Sequence, residues 1–188
     1  MPATTEAAPA AATSDRFILS VVAGLAAAFV LFGLFVDGPR AALQGLVTIQ
    51  LVRDTLVTDY IGVGGKGAAF LNAGLLTLLA CGFYWRCEAK MTGGAVAALL
   101  LVLGFALFGK NLLNVWPIVG GVWLYCRLKG DSFGAHLNTA FFGCALAPVV
   151  SEILFSTTLP PTVTVPLALA TGIGMGLVLV PVAGQLFK

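Results

Sequence analysis

Long apolar runs separated by short polar breaks dominate the chain, and their lengths predict its elements. A helix that crosses the hydrocarbon of a bilayer needs about 20 predominantly apolar residues. Residues 17–36 form such a run, closed by Asp37, Gly38 and Pro39. Residues 68–85 form a second, with Asn72 inside it and Tyr84 and Trp85 at its end, where an interfacial aromatic belt belongs. Residues 133–155 and 163–187 form two more, separated by the breaker-rich Thr157-Thr158-Leu159-Pro160-Pro161. These are four predicted membrane spans.

The chain between them is less regular. Residues 94–109 and 112–126 are apolar but short, broken at Gly109-Lys110-Asn111. As helices they reach only about 24 and 22 Å, less than a hydrocarbon core of about 30 Å. They are two thin spans or a hairpin whose tip stops inside the protein, and either way Lys110, Asn111 and Asn114 end up close to membrane depth. Pro117, beside Trp116, is expected to kink its short helix and free a carbonyl. Residues 40–58 mix Leu43, Leu46, Val47 and Leu51 with Arg40, Gln44, Gln50, Arg53 and Asp54. That mixture predicts an amphipathic helix at the membrane interface, with a polar-faced span as the other reading. The run Gly62-Val-Gly-Gly-Lys-Gly67 predicts a flexible turn into the next span. The fold expected is all-α, a polytopic transmembrane bundle of about six membrane segments that includes short broken or re-entrant helices. Residues 1–15, rich in Ala, Pro and Thr and without a basic start, are expected to be a disordered tail before a single transmembrane domain, residues 16–188.

Composition closes off the soluble alternatives. Hydrophobic residues make up 59% of the 188 and charged residues 10%, against about 25% charged in soluble domains. The net charge of +2 comes from scattered residues, so there is no basic stripe for nucleic acid. The charges serve as topology signals instead. Arg86 and Lys90 flank one short loop, and Arg127 and Lys129 flank another, which places both on the cytoplasmic side of an inner membrane, with both chain ends on that side. The four cysteines, Cys81, Cys87, Cys126 and Cys144, show no metal spacing and no CxxC pair, and are expected to pack as small apolar residues. No Walker A, GxSxG or HExxH motif is present. Gly62, Gly64 and Gly67 match the dinucleotide glycine pattern but have no preceding strand. No cofactor, metal or catalytic residue is therefore expected.

Polar residues in apolar surroundings carry the functional expectation. A charge at membrane depth costs at least about 2.5–3.5 kcal/mol, so it normally meets a partner or a water-filled cavity. Lys66, Lys110 and Glu152 are the candidates, with Glu152 expected to pair with one of the lysines. Asn72, Asn111, Asn114 and Asn138 add donors and acceptors; a single asparagine more often bonds helices together, whereas several beside two helix breaks point to a site. His136, the single histidine, sits near a span boundary with no second ligand, and is expected to be a boundary residue, with a proton relay as the alternative reading. The substrate-binding set expected is Lys66, Asn72, Lys110, Asn111, Asn114 and Glu152. The function expected is a transporter or channel for a small polar or anionic solute; a non-catalytic membrane scaffold and an intramembrane enzyme are the alternatives.

Three stretches carry a resemblance: residues 62–75, the run Leu107-Phe-Gly-Lys-Asn-Leu-Leu-Asn-Val-Trp-Pro-Ile118, and Ala145-Leu-Ala-Pro-Val-Val-Ser-Glu152. They are similar to a bacterial multi-pass membrane-protein family known as domain of unknown function 1576, over roughly residue 59 to the C-terminus. The Gly-Lys-Asn-Leu-Leu-Asn-x-Trp-Pro run is the most specific part. Members often carry the region in tandem, so the resemblance implies a membrane fold, one copy of a repeated unit, and a homodimer or higher oligomer in the lipid bilayer. It implies no chemistry. A Gly-rich turn entering an Asn-bearing span, followed by short broken helices, also looks like half of a urea-channel-type protein, an architectural likeness alone.

Overall fold

The computed structural model describes residues 7–55 and 57–186. The elements are α1 (Ala7–Val36), α2 (Pro39–Leu51), α3 (Tyr60–Gly64), α4 (Lys66–Arg86), α5 (Gly93–Phe105), α6 (Trp116–Lys129), α7 (Leu137–Gly143), α8 (Ala147–Leu154) and α9 (Pro161–Leu186). Short 3-10 turns precede α7 and α8, so residues 133–154 form one nearly continuous rod. Among the described residues four stretches are long and apolar enough to cross a membrane: Thr13–Val36, Lys66–Arg86, Phe133–Leu154 and Pro161–Gln185. Their outer faces carry Phe17, Leu31, Phe35, Leu169 and Val178 in exposed positions. Such a surface is stable against lipid and unfavourable against water.

α1 and α4 run antiparallel. The Cβ that a larger residue would bring at Gly67 meets the Gly33 carbonyl, and one at Gly74 meets the Ala26 carbonyl. Lipid tails are as apolar as leucine, so helices in lipid gain little from hydrophobic burial and rely on this close backbone approach. Asp37, just beyond α1, accepts a hydrogen bond from Gly67 N at 2.6 Å. That contact brings the start of α4 to the end of α1, here called the upper end. At the lower end Asp15 accepts from Met91 N at 3.1 Å, so α5 starts beside the lower part of α1. α6 and α9 descend side by side, with Pro117 against Gly172 and Gly121 against Gly176, a small-xxx-small pair on α9.

Two pairs of short helices enter this frame without crossing it. α2 turns back from the upper end and descends beside α4: Gly45 touches Gly64 and Ala68, and Gln50 reaches Asn72. The chain then returns through α3 to Gly65, beside Asp37. From the lower end, α5 rises to Phe105 and α6 comes down again from Trp116, with the break between them at the level of Asn72. The tips of the two dips meet about 9 Å below the first residue of α4, six helical rises from Lys66.

Several expectations are corrected. Among the described residues four helices are long and apolar enough to span, as the four long runs predict, and the short segments that brought the expected count to about six are not of spanning length. Residues 40–58 do not form one surface helix: α2 packs along α4 and ends at Leu51, leaving an irregular tip that buries Asp54. The glycine run is not one flexible turn: Gly62–Gly64 end the short helix α3, Gly65 makes the turn, and Lys66 and Gly67 open α4. Pro117 lies in the first turn of α6, where its missing N–H has no intrahelical partner to lose, so it starts the helix instead of kinking it. α1 begins at Ala7, inside the expected tail; the rest of that tail, Met1–Glu6, and the final Phe187 and Lys188 lie outside the described residues.

The α6–α9 contact tolerates no side chain at Gly176, whereas nothing lies within 4 Å of a Cβ placed on Gly174. Gly176→Leu is expected to destabilise the protein in detergent by about 1–3 kcal/mol, the usual range for overpacking. Gly174→Leu should stay within about 0.5 kcal/mol of wild type. Thermal unfolding of the two variants side by side checks the contact.

Candidate functional site

Breaking a helix inside an apolar bundle leaves backbone N–H and C=O groups that lipid cannot satisfy. Residues 106–115 solve this with their own asparagines. Gly109 takes a positive φ of 87°, and the chain reverses there. Asn111 Oδ1 accepts from Leu113 N and Asn114 N, both at 2.9 Å, while Asn114 Oδ1 accepts from Asn111 N at 2.9 Å. The spacing Asn-Leu-Leu-Asn thus closes a reciprocal turn, each amide capping the other's backbone. From α4, Asn72 Nδ2 donates to Ala106 O at 2.7 Å and Lys110 O at 2.8 Å, answering two carbonyls at the end of α5.

Asp54 sits at the centre of what the turn leaves over. It is 0% exposed, and its Oδ2 accepts from Tyr60 Oη at 2.9 Å, Asn114 Nδ2 at 3.1 Å and Asn111 Nδ2 at 3.2 Å. Asn114 Nδ2 also reaches Ser151 Oγ at 3.0 Å, which ties α8 into the cluster. Asp54 lies between α2 and α3, outside the four long helices. Burial pushes its carboxyl up to about 6, against the opposing pull of the bonds from Tyr60 and Asn114. One residue away on each segment, Arg53 and Glu152 form an ion pair, both partly exposed. Lys110 is 2% exposed, its ammonium 4.8 Å from the Phe105 ring centre.

The residues expected to form the site separate into two groups. Asn72, Lys110, Asn111 and Asn114 are brought together and buried. Glu152 stands at their edge, and its partner is Arg53, not a lysine. Lys66 is exposed at the start of α4, where the helix N-terminus is already occupied by the Asp37 carboxylate. Asn138 is near the lower end, accepting from Tyr84 Oη at 2.6 Å, and His136 faces Asp131 at 3.5 Å.

Four buried side-chain N or O atoms among the described residues have no hydrogen-bond partner: Gln50 Oε1, Asp54 Oδ1, Lys110 Nζ and Glu152 Oε2. The atoms on Gln50, Asp54 and Glu152 belong to this cluster or its rim, while Lys110 joins it through its carbonyl and sets its ammonium against the Phe105 ring. Buried polar atoms are nearly always satisfied, so a local group of orphans marks a place where water, an ion or a solute completes the bonding.

The sequence profile of a family described as protein of unknown function, DUF1576, matches residues 38–188. The chain belongs to that family. No curated protein and no solved structure matches it. The family match begins at α2, upstream of the residue 59 expected from the resemblance, and so takes in Gln50, Arg53 and Asp54.

Asp54, Gln50, Tyr60 and Ser151 are the members that sequence reasoning missed. Gln50 and Asp54 lay in a segment whose mixed polarity suits an interface helix, and no periodicity separates a face turned to water from one turned to asparagines. The glycines at 45 and 64 were the available signal, since they mark α2 as packed against another backbone. A carboxyl whose folded pKa stands above the ordinary value of about 4 favours the neutral form. The contribution of Asp54 to stability therefore falls as pH rises from about 4 to about 6 and levels off above that. Asp54→Asn keeps the acceptor for its three donors and removes the charge. Unfolding measured at stepped pH should show the wild type losing stability relative to this variant across that window. Asp54→Ala, which strands three donors, should destabilise by about 1–3 kcal/mol at every pH.

Proposed function

We propose that the protein is a transporter for a small polar solute, which is bound where the tips of the two dips meet. The observation that supports this is the set of orphaned acceptors on Gln50, Asp54 and Glu152, in or beside one polar cluster inside an otherwise apolar bundle. Lys110, on the adjoining helix break, adds a buried ammonium without a hydrogen-bond partner among the described residues. Irregular backbone at membrane depth is tolerated where it lines a binding cavity, and discontinuous helices meeting from opposite sides are a recurring way to build one. The buried Asp54 carboxyl, held by amide and phenol donors, moves the expected solute from an anion toward a neutral or zwitterionic molecule that can donate hydrogen bonds. Asp54 and Asn114 are wholly buried, which favours a carrier that opens alternately over a permanently open pore.

The basic loops at the lower end place that end in the cytoplasm and the protein in a cytoplasmic membrane. A single copy of the unit is expected to assemble as a homodimer or higher oligomer. A scaffold role is the second reading, favoured by the asparagine amides, which are all engaged within the protein.

Stopped-flow light scattering on proteoliposomes, with urea, glycine and nitrate as neutral, zwitterionic and anionic probes, separates these readings. The transporter should pass urea or glycine faster than nitrate. Lys110→Met and Asp54→Asn should each reduce that flux roughly tenfold, the loss that follows from removing about 1.4 kcal/mol of binding, without lowering the unfolding temperature. A wild type that passes none of the three solutes, with variants that are more stable, supports the scaffold.

A further inference from the structure

We infer that the lower half of the α1–α4 interface is a binding site for one anionic phospholipid. In the upper half, glycines at 33, 67 and 74 hold the two backbones in contact. Further down, the helix pair has no such contact, and a groove of about 410 Å³ opens between Arg16, Leu19 and Ala23 on α1 and Leu78, Gly82 and Trp85 on α4. Small side chains, Ser20, Ala23, Cys81 and Gly82, line the groove between the larger Leu19 and Leu78, and nothing lies within 4 Å of a Cβ built on Gly82.

The lining identifies the occupant. The walls are apolar, and the hydroxyl of Ser20 is already committed to the Phe17 carbonyl at 2.7 Å. Arg16 stands at the end of the groove and has no ion pair among the described residues, while its neighbour Asp15 is turned to Met91 N. Trp85, 67% exposed, flanks the same mouth; Trp123, with Arg127 5.5 Å from its ring, is a second exposed tryptophan toward the basic end of α6. Tryptophan collects at the headgroup level of a bilayer. An acyl chain laid along the groove would therefore bring its headgroup to Arg16. Arg16 shares that end with Arg86, Lys90, Arg127 and Lys129, the end that the positive-inside rule turns toward the anionic leaflet. A cation closing an apolar trough at that depth matches a phosphate on a hydrocarbon chain, and the guanidinium geometry suits phosphate oxygens.

Native mass spectrometry of the full chain, exchanged into mixed nanodiscs of phosphatidylglycerol and phosphatidylcholine with identical chains, tests the site. The wild type should retain one phosphatidylglycerol in preference to phosphatidylcholine by roughly fivefold, the factor expected for one basic side chain near the lipid surface. Arg16→Gln, a change on the exposed surface, should erase that preference while still retaining a lipid. Gly82→Leu fills the groove without meeting a neighbour and should release both lipids. Equal retention of the two lipids by the wild type, or unchanged retention in both variants, overturns the inference. So does a wild-type dimer that Gly82→Leu converts to monomer with no change in bound lipid, since a second copy would then be the occupant.

Discussion

Every backbone N–H and C=O inside a lipid-facing bundle must find a partner in the protein, because the surrounding hydrocarbon offers none. The interior of this chain is arranged around that requirement. Its long helices meet it by themselves. The break between α5 and α6 meets it through Asn111 and Asn114, which cap one another's backbone, and through Asn72, which answers two carbonyls from the neighbouring helix. Once Asn111 and Asn114 are fixed for this purpose, their amide groups also donate to Asp54. A device that satisfies the backbone thereby creates a pocket of donors around a carboxylate.

Backbone-to-backbone packing makes the convergence possible. Gly45 against Gly64 lets α2 lie close enough to α4 for Gln50 to reach Asn72, and the descent of α2 carries Asp54 down to the α5–α6 break. Removing that approach would leave Asp54 near the upper surface and the asparagine turn with unfilled donors. The same logic at larger scale explains the α1–α4 pair. Glycines close its upper half around the α4 N-terminus, while the lower half opens into a groove between Leu19 and Leu78. One helix pair thus supplies both a rigid frame for the polar cluster and an apolar trough toward the lower end.

The charges divide by depth. Arg53 and Glu152 neutralise one another at the rim, while Asp54 and Lys110 are buried without an ion-pair partner, Asp54 held by neutral donors and Lys110 against an aromatic face. Burying two such groups costs more than a bundle of this composition would need to spend for stability alone. Several partly satisfied polar atoms at one level set this region apart from ordinary helix glue, in which each polar group ends on another.

Hydrophobic run lengths by themselves determined the four long apolar helices, the short pair around Gly109, and the depth of Lys110, Asn111 and Asn114, because run length and breakers are properties of consecutive residues. Asn72 was legible for the same reason, a lone amide within an apolar run. Which distant residues meet these groups was decided by the tertiary structure alone. Asp54 joins Asn114 across 60 positions, Arg53 takes Glu152 across 99, and Lys66 is left exposed at the first residue of α4. Polarity patterns say that a face is polar, but not whether water or another side chain lies against it. That choice rests on where glycines let two backbones touch, and it exists only once the helices have packed.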